Sequence, residues 1–247
     1  MTHDLFLYVL LVAVGFVAGV LNVIAGGGSF LTLPMLIFAG LPPTVANATN
    51  RVGVLAQNIG GVLGFHRYKV LNWRWGLRVS VPSLLGASVG VWGALRVGDT
   101  AFQRILAVLM LAVTLWTLLR PQNAAVSARV PHAPALAMFG FFLAGIYGGF
   151  VQAGVGFFIL AITSLAGLDL VRGNAIKVLV VLLLTILSLV VFAWEGKVEW
   201  SSGLVLGAGN LTGGLTGVRL TVLKGHRWVN AVVTTAVVVF AIKLLAG

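Results

Sequence analysis

Two glycine-rich interruptions are the places in this chain where residue type and spacing point most directly to chemistry. The first reads Gly26-Gly27-Gly28-Ser29 and the second Gln152-Ala153-Gly154-Val155-Gly156. Each is followed by an apolar stretch, 28–40 and 155–168, too short to cross a bilayer comfortably. A helix broken at membrane depth leaves backbone N–H and C=O groups that lipid cannot satisfy, so the break must be buried in protein or line a polar cavity. The helix that restarts there presents free N–H groups and its positive dipole end, which together make an anion receptor. Glycine lets the ligand come close to the backbone. The candidate ligand-binding residues are therefore Gly26, Gly27, Gly28 and Ser29, with Gln152, Gly154 and Gly156 opposite. A competing reading needs no ligand: the same glycines would serve tight helix packing.

A second pair of features opens the next two apolar segments, Asn47-Ala48-Thr49-Asn50-Arg51 and Asn174-Ala175-Ile176-Lys177. Polar side chains one turn apart share a helical face, and a cation inside a membrane is costly unless paired or functional. Beside an anion site, Asn47, Asn50, Arg51, Asn174 and Lys177 would supply charge and hydrogen-bond donors. The alternative is that Arg51 and Lys177 lie near helix ends and snorkel to water. Gln57 and Asn58 read as helix-to-helix hydrogen bonds, and Pro34 as a kink.

Acid–base and metal chemistry have little to stand on. His3, His66, His132 and His226 fall at termini or loops, no Asp or Glu falls inside an apolar segment, and there is no cysteine. The reading is no catalytic residue, no metal and no cofactor, and hence not an enzyme. The carboxylates and histidines of a buried proton relay are missing too, so coupling would be electrogenic, sodium-linked or carried by the substrate's own protonation.

The elements that must position these residues are membrane helices. Of the residues, 60% are hydrophobic and only 9% charged, against about a quarter charged in a soluble domain. Apolar segments recur at about 5–25, 28–40, 44–64, 75–95, 102–119, 134–150, 155–168, 174–194, 201–218 and 228–246. The net charge of +11 sits mostly in the short gaps between them, where it sets topology and meets anionic lipid headgroups rather than nucleic acid. No basic region precedes the first apolar run, so a cleaved secretory signal is not expected. Trp73, Trp75, Trp194 and Trp200 fall at segment ends, as an interfacial belt would.

The chain also repeats itself. At a constant offset of 127 residues Gly27 meets Gly154, Phe30 meets Phe157, Asn47-Ala48 meets Asn174-Ala175, Trp73 meets Trp200, and Gly86 and Gly90 meet Gly213 and Gly217. These last four have the small-xxx-small spacing of close helix contacts. The loop with Arg67, Lys69, Arg74 and Arg78 is purely basic, while its counterpart carries Glu195, Lys197 and Glu199, so the two copies point opposite ways. With 134–168 entering and leaving on one side, eleven Lys and Arg lie on the cytoplasmic side and four outside. The fold expected is an all-α polytopic membrane protein of two inverted-topology repeats, each a broken or re-entrant helical hairpin plus three transmembrane helices. The N-terminal repeat is 1–120, the proline-bearing linker 121–133, and the C-terminal repeat 134–247, all in one membrane domain. The sequence sets no oligomeric state and leaves room for a homo-oligomer.

The glycine break with its following Pro and Leu (Gly26-Gly27-Gly28-Ser29-Phe30-Leu31-Thr32-Leu33-Pro34-Met35-Leu36), then Ala39-Gly40 and a polar start to the next helix, with a degenerate echo in the second half, resembles the TauE/SafE family of membrane transporters. The likeness spans most of the chain. It implies export of sulfite or organosulfonate anions across the bacterial inner membrane. The repeats and helix breaks would then work by alternating access, one repeat moving against the other, with the small anion as the partner at the breaks. An anion channel and a small-carboxylate carrier are the alternatives. The second copy departs from the pattern: it has no run of three glycines and no proline where Pro34 stands in the first.

Overall fold

The computed structural model describes residues 2–119 and 134–245. Among these, the secondary structure is helical throughout: α1 (Thr2–Ile24), α2 (Ser29–Phe38), α3 (Pro43–Arg67), α4 (Trp73–Arg96), α5 (Asp99–Leu119), α6 (Pro134–Phe150), α7 (Val155–Leu165), α8 (Leu170–Trp194) and α9 (Trp200–Leu245). The linker expected at 121–133 lies outside the described residues. Part of α1, Leu5–Ile24, and the whole of α8 are each long and apolar enough to cross a bilayer by length and composition. α2 and α7 are short, as their glycine-rich starts predict.

One expectation fails. The segments 201–218 and 228–246 are a single helix of 46 residues, with Arg219, Lys224 and Arg227 inside it rather than in a loop. Basic side chains alone do not break a helix, and the stretch Thr221-Val222-Leu223-Lys224-Gly225-His226-Arg227-Trp228 has no proline and one glycine. At 1.5 Å per residue α9 would run about 69 Å, more than twice the ~30 Å hydrocarbon core.

Small residues set the packing. The broadest helix pairings are α1 with α9, α4 with α6, and α3 with α9, followed by α4 and α3 with α8. A Cβ added at Gly86 or Gly90 of α4 would strike the carbonyls of Phe142 and Ile146 in α6, and one at Gly213 of α9 would strike that of Phe16 in α1. These glycines therefore act as the spacing implied, bringing backbones together where side chains would hold them apart. α3 and α8 run through the middle and are buried along most of their length. Leu85, Trp92, Leu204 and Leu223 of α4 and α9 face outward, each more than half exposed. Trp73, Trp194 and Trp200 stand at helix ends with 40%, 88% and 50% exposure, as residues at a membrane boundary do.

Candidate functional site

The site is built where two helices stop and restart. α1 ends at Ile24, and Gly26 turns into the left-handed region at φ 95° while its N–H reaches back to Leu21 O at 3.2 Å. α2 begins at Ser29. In the second break α6 ends at Phe150, and the chain passes through Gln152 at φ 64° and Gly154 at φ 79° before α7 begins at Val155. The left-handed region is costly for a residue with a Cβ. At Gln152 the strain is offset by side-chain bracing: its Nε2 donates to Thr185 Oγ1 at 2.5 Å, and the Tyr147 hydroxyl donates to Ala153 O at 2.5 Å.

Both stopped helices point their C-terminal carbonyls at a buried cation from the other half of the chain. Lys177 Nζ donates to Asn22 O at 2.8 Å, Val23 O at 2.7 Å and Asn174 Oδ1 at 2.6 Å. Asn174 Nδ2 donates to Ile24 O at 3.0 Å. Across the molecule, Arg51 Nη1 and Nη2 donate to Gly148 O at 3.1 Å and Gly149 O at 2.7 Å, and Asn47 Nδ2 to Phe150 O at 2.9 Å. Arg51 also stacks over the ring of Phe192, 4.8 Å from its centroid. Both cations are buried, at 0% and 2% exposure, and neither has a carboxylate within ion-pair distance among the described residues. Burying an unpaired charge costs several kcal/mol. Here the charge-assisted bonds and the negative dipole ends of α1 and α6 offset it. Snorkelling is excluded, since both heads turn inward.

The restarting ends are left open. Neither α2 nor α7 has a side-chain cap, and the amides of Gly27, Gly28, Ser29, Gly154 and Gly156 take no part in the backbone hydrogen bonds around the breaks. With the carbonyl ends neutralised and the amide ends bare, the breaks carry a net excess of hydrogen-bond donors. They also touch: a Cβ on Gly26 would lie 2.6 Å from the Cα and carbonyl carbon of Gly156. Beside this contact is a cavity of about 10 Å³ lined by Asn22, Gly26, Ser29, Asn58, Gln152, Gly156 and Lys177, with Val54, Val155 and Val181. Its volume suits about one water molecule.

The candidates from the sequence thus divide. Gly26, Ser29, Gln152, Gly156 and Lys177 line the cavity. Asn47, Arg51 and Asn174 stand behind it and hold carbonyls. Asn50 accepts from the Thr32 hydroxyl at 2.5 Å within its own half, and its Nδ2 is buried without a partner. Gly28 packs against Ala18 O of α1, where a Cβ would not fit, and Gly27 and Gly154 are in the turns themselves. Asn58 donates to Val54 O of its own helix at 2.7 Å rather than across helices, and it joins the cavity wall. Asn22 was not singled out, although a polar residue four positions before a glycine run in an apolar helix is a usable signal. Thr185, the brace of Gln152, gives no such signal. Among the described residues no group of three His, Cys, Asp or Glu is placed to hold a metal ion.

A helical chain of this apolar composition, interrupted at two paired helix ends, is similar to membrane transporters. The sulfite exporter TauE/SafE family matches residues 11–244, and the chain belongs to that family. It is 30% identical over 235 residues to a probable membrane transporter protein, ORF9, of Sinorhizobium sp, covering 94% of this chain and 89% of the relative. It is 28% identical to a probable membrane transporter protein of Haemophilus influenzae, covering 92% and 90%. To the probable membrane transporter protein YfcA of Escherichia coli K12 it is 30% identical, covering 94% and 87%. No solved structure matches. The chain is a membrane transporter and not an enzyme.

Proposed function

We propose that the chain is a multi-pass carrier of the bacterial inner membrane that moves a small anion, sulfite or an organosulfonate, by alternating access. The anion binds between the open N-termini of α2 and α7. The observation that carries this is the imbalance at the breaks: the carbonyl ends of α1 and α6 are capped by Lys177 and Arg51, while the amide ends of α2 and α7 are bare. The family's association with sulfite supports the choice of anion.

Two inverted repeats form the moving parts. The reading is supported by the exchange of partners: α1 lies on α9 while α4 lies on α6, and these pairs swap under the 127-residue offset. Asn47 and Asn174 swap in the same way, with Arg51 and Lys177 each within one residue of the offset, and each Asn-cation pair grips the broken helix of the opposite half. A cavity sized for one water holds no sulfite, so the halves must shift apart for the anion to enter.

Purified protein in proteoliposomes should take up radiolabelled sulfite with saturation and counterflow. Uptake that rises linearly with concentration and lacks counterflow means a channel, and competition by small carboxylates alone means a different cargo. Asn47→Ala and Asn174→Ala should each abolish uptake while the protein stays monodisperse in detergent. Unchanged rates in both variants would remove the breaks from the transport site.

A further inference from the structure

A cavity of about 270 Å³ outside the breaks opens where the α4–α5 turn meets the start of α3 and the end of α8. Its wall includes Thr44, Arg96, Asp99, Phe192 and Lys197. Two cations thus stand against one carboxylate. That carboxylate is already engaged, because Asp99 Oδ1 accepts from the amide of Thr44 at 3.1 Å and from its hydroxyl at 2.6 Å. The Arg96 guanidinium is held at the rim by stacking over Trp92 at 4.1 Å. The volume is far above the ~10–15 Å³ that one water needs on the same measure. That is room for a hydrated oxoanion or a sulfonate with a short carbon chain.

The inner wall links this cavity to the breaks. Phe192 is 1% exposed, lines the cavity, and carries the Arg51 guanidinium 4.8 Å from its ring centroid. Thr44 and Arg51 are seven residues apart on α3, about 10 Å along the axis. One aromatic residue therefore meets both the cavity and the group that holds Gly148 and Gly149 of the broken α6.

We propose that this cavity is a second anion site: a vestibule that collects small oxoanions and short sulfonates through Arg96 and Lys197 and is closed on its inner side by Phe192. The ligand class rests on the carrier reading, but the test needs no transport, so a failure of one does not mimic a failure of the other.

The chain contains no cysteine, so a single introduced thiol reports locally. A Cβ at Gly98 meets nothing within 4 Å, which makes Gly98→Cys a mild probe, and Val97→Cys gives a second. Each is labelled in the full-length protein with a sulfonate-bearing methanethiosulfonate and with its trimethylammonium counterpart. Rates are normalised to those of the same reagents with free cysteine. The sulfonate reagent should be favoured about tenfold, the lower end of what a focusing cleft achieves. Hydroxyethanesulfonate should slow it, and adding Arg96→Gln with Lys197→Gln should bring the ratio near unity. Equal normalised rates at both positions would overturn the proposal, as would a preference that hydroxyethanesulfonate leaves untouched.

Discussion

The two helix breaks do the same job with different materials. The first is made of glycine: Gly26 takes the positive φ, and the main outside support comes from Lys177 and Asn174 on the carbonyls behind it. The second places Gln152, a residue with a side chain, in the same backbone region. It is braced by Thr185 on Gln152 and by Tyr147 on Ala153. The cations differ in the same sense. All three protons of Lys177 are engaged, whereas Arg51 spends its two terminal nitrogens and leaves Nε buried without a partner. A helix break can therefore do without a run of glycines, provided side chains take over the work of holding the turn.

The largest effect should come from filling the point where the breaks touch. Gly26→Ala puts a Cβ 2.6 Å from the Gly156 backbone at φ 95°. Strain and overpacking together should lower stability by about 4 kcal/mol, read by thermal unfolding in detergent, and uptake should vanish. Near-native melting would mean that the two breaks are not in contact.

Removing the cations comes next and tests their asymmetry. Lys177→Met strips the donor from two carbonyls and an amide oxygen and should cost about 3 kcal/mol. Arg51→Met strips it from two carbonyls and should cost about 2 kcal/mol. If the order reverses, the second break draws more support from its cation than the first does.

Gln152→Gly converts the second break toward the first. Relief of backbone strain and loss of the Thr185 bond oppose each other, so stability should change by less than about 1 kcal/mol. Sulfite affinity should nonetheless fall, because a wall of the cavity is lost. A collapse in stability would show that the brace outweighs the strain it offsets.

The smallest effect concerns Glu199, which precedes α9. Its burial would raise the carboxyl pKa, but hydrogen bonds from Ser201 and Ser202 outweigh this and hold it below its ordinary value of 4.5. A depressed folded pKa gives stability that is present above the unfolded pKa and lost as pH falls through the folded one. Glu199→Gln should therefore flatten the acid limb of a melting-temperature profile while leaving both breaks unaffected. An unchanged limb would show that this cap contributes nothing to stability.

Much of this was legible in the sequence. Segment lengths and glycine breakers locate α1 to α8 closely, because an apolar run must end where glycine or proline ends it. The two Asn-cation pairs stand out because polar groups are rare in such a composition. Their targets were not legible. Lys177 reaches carbonyls 155 and 154 residues away and Arg51 carbonyls 97 and 98 away, and proximity on one helix suggests a ligand sooner than a distant helix end. The continuity of α9 was missed because charge was read as a loop where only backbone breakers make one. Phe192 gives no signal at all, since one aromatic residue in an apolar helix looks like any other.

The crossed grip of Arg51 and Lys177 has a consequence for the chain as a whole. Each half keeps its own stopped helix satisfied only by borrowing a cation from the other, and each lays its first helix on a late helix of its neighbour. Severed between α5 and α6, neither fragment could close its hydrogen bonds alone. The two would be obligate companions, stable as a pair and unfinished apart.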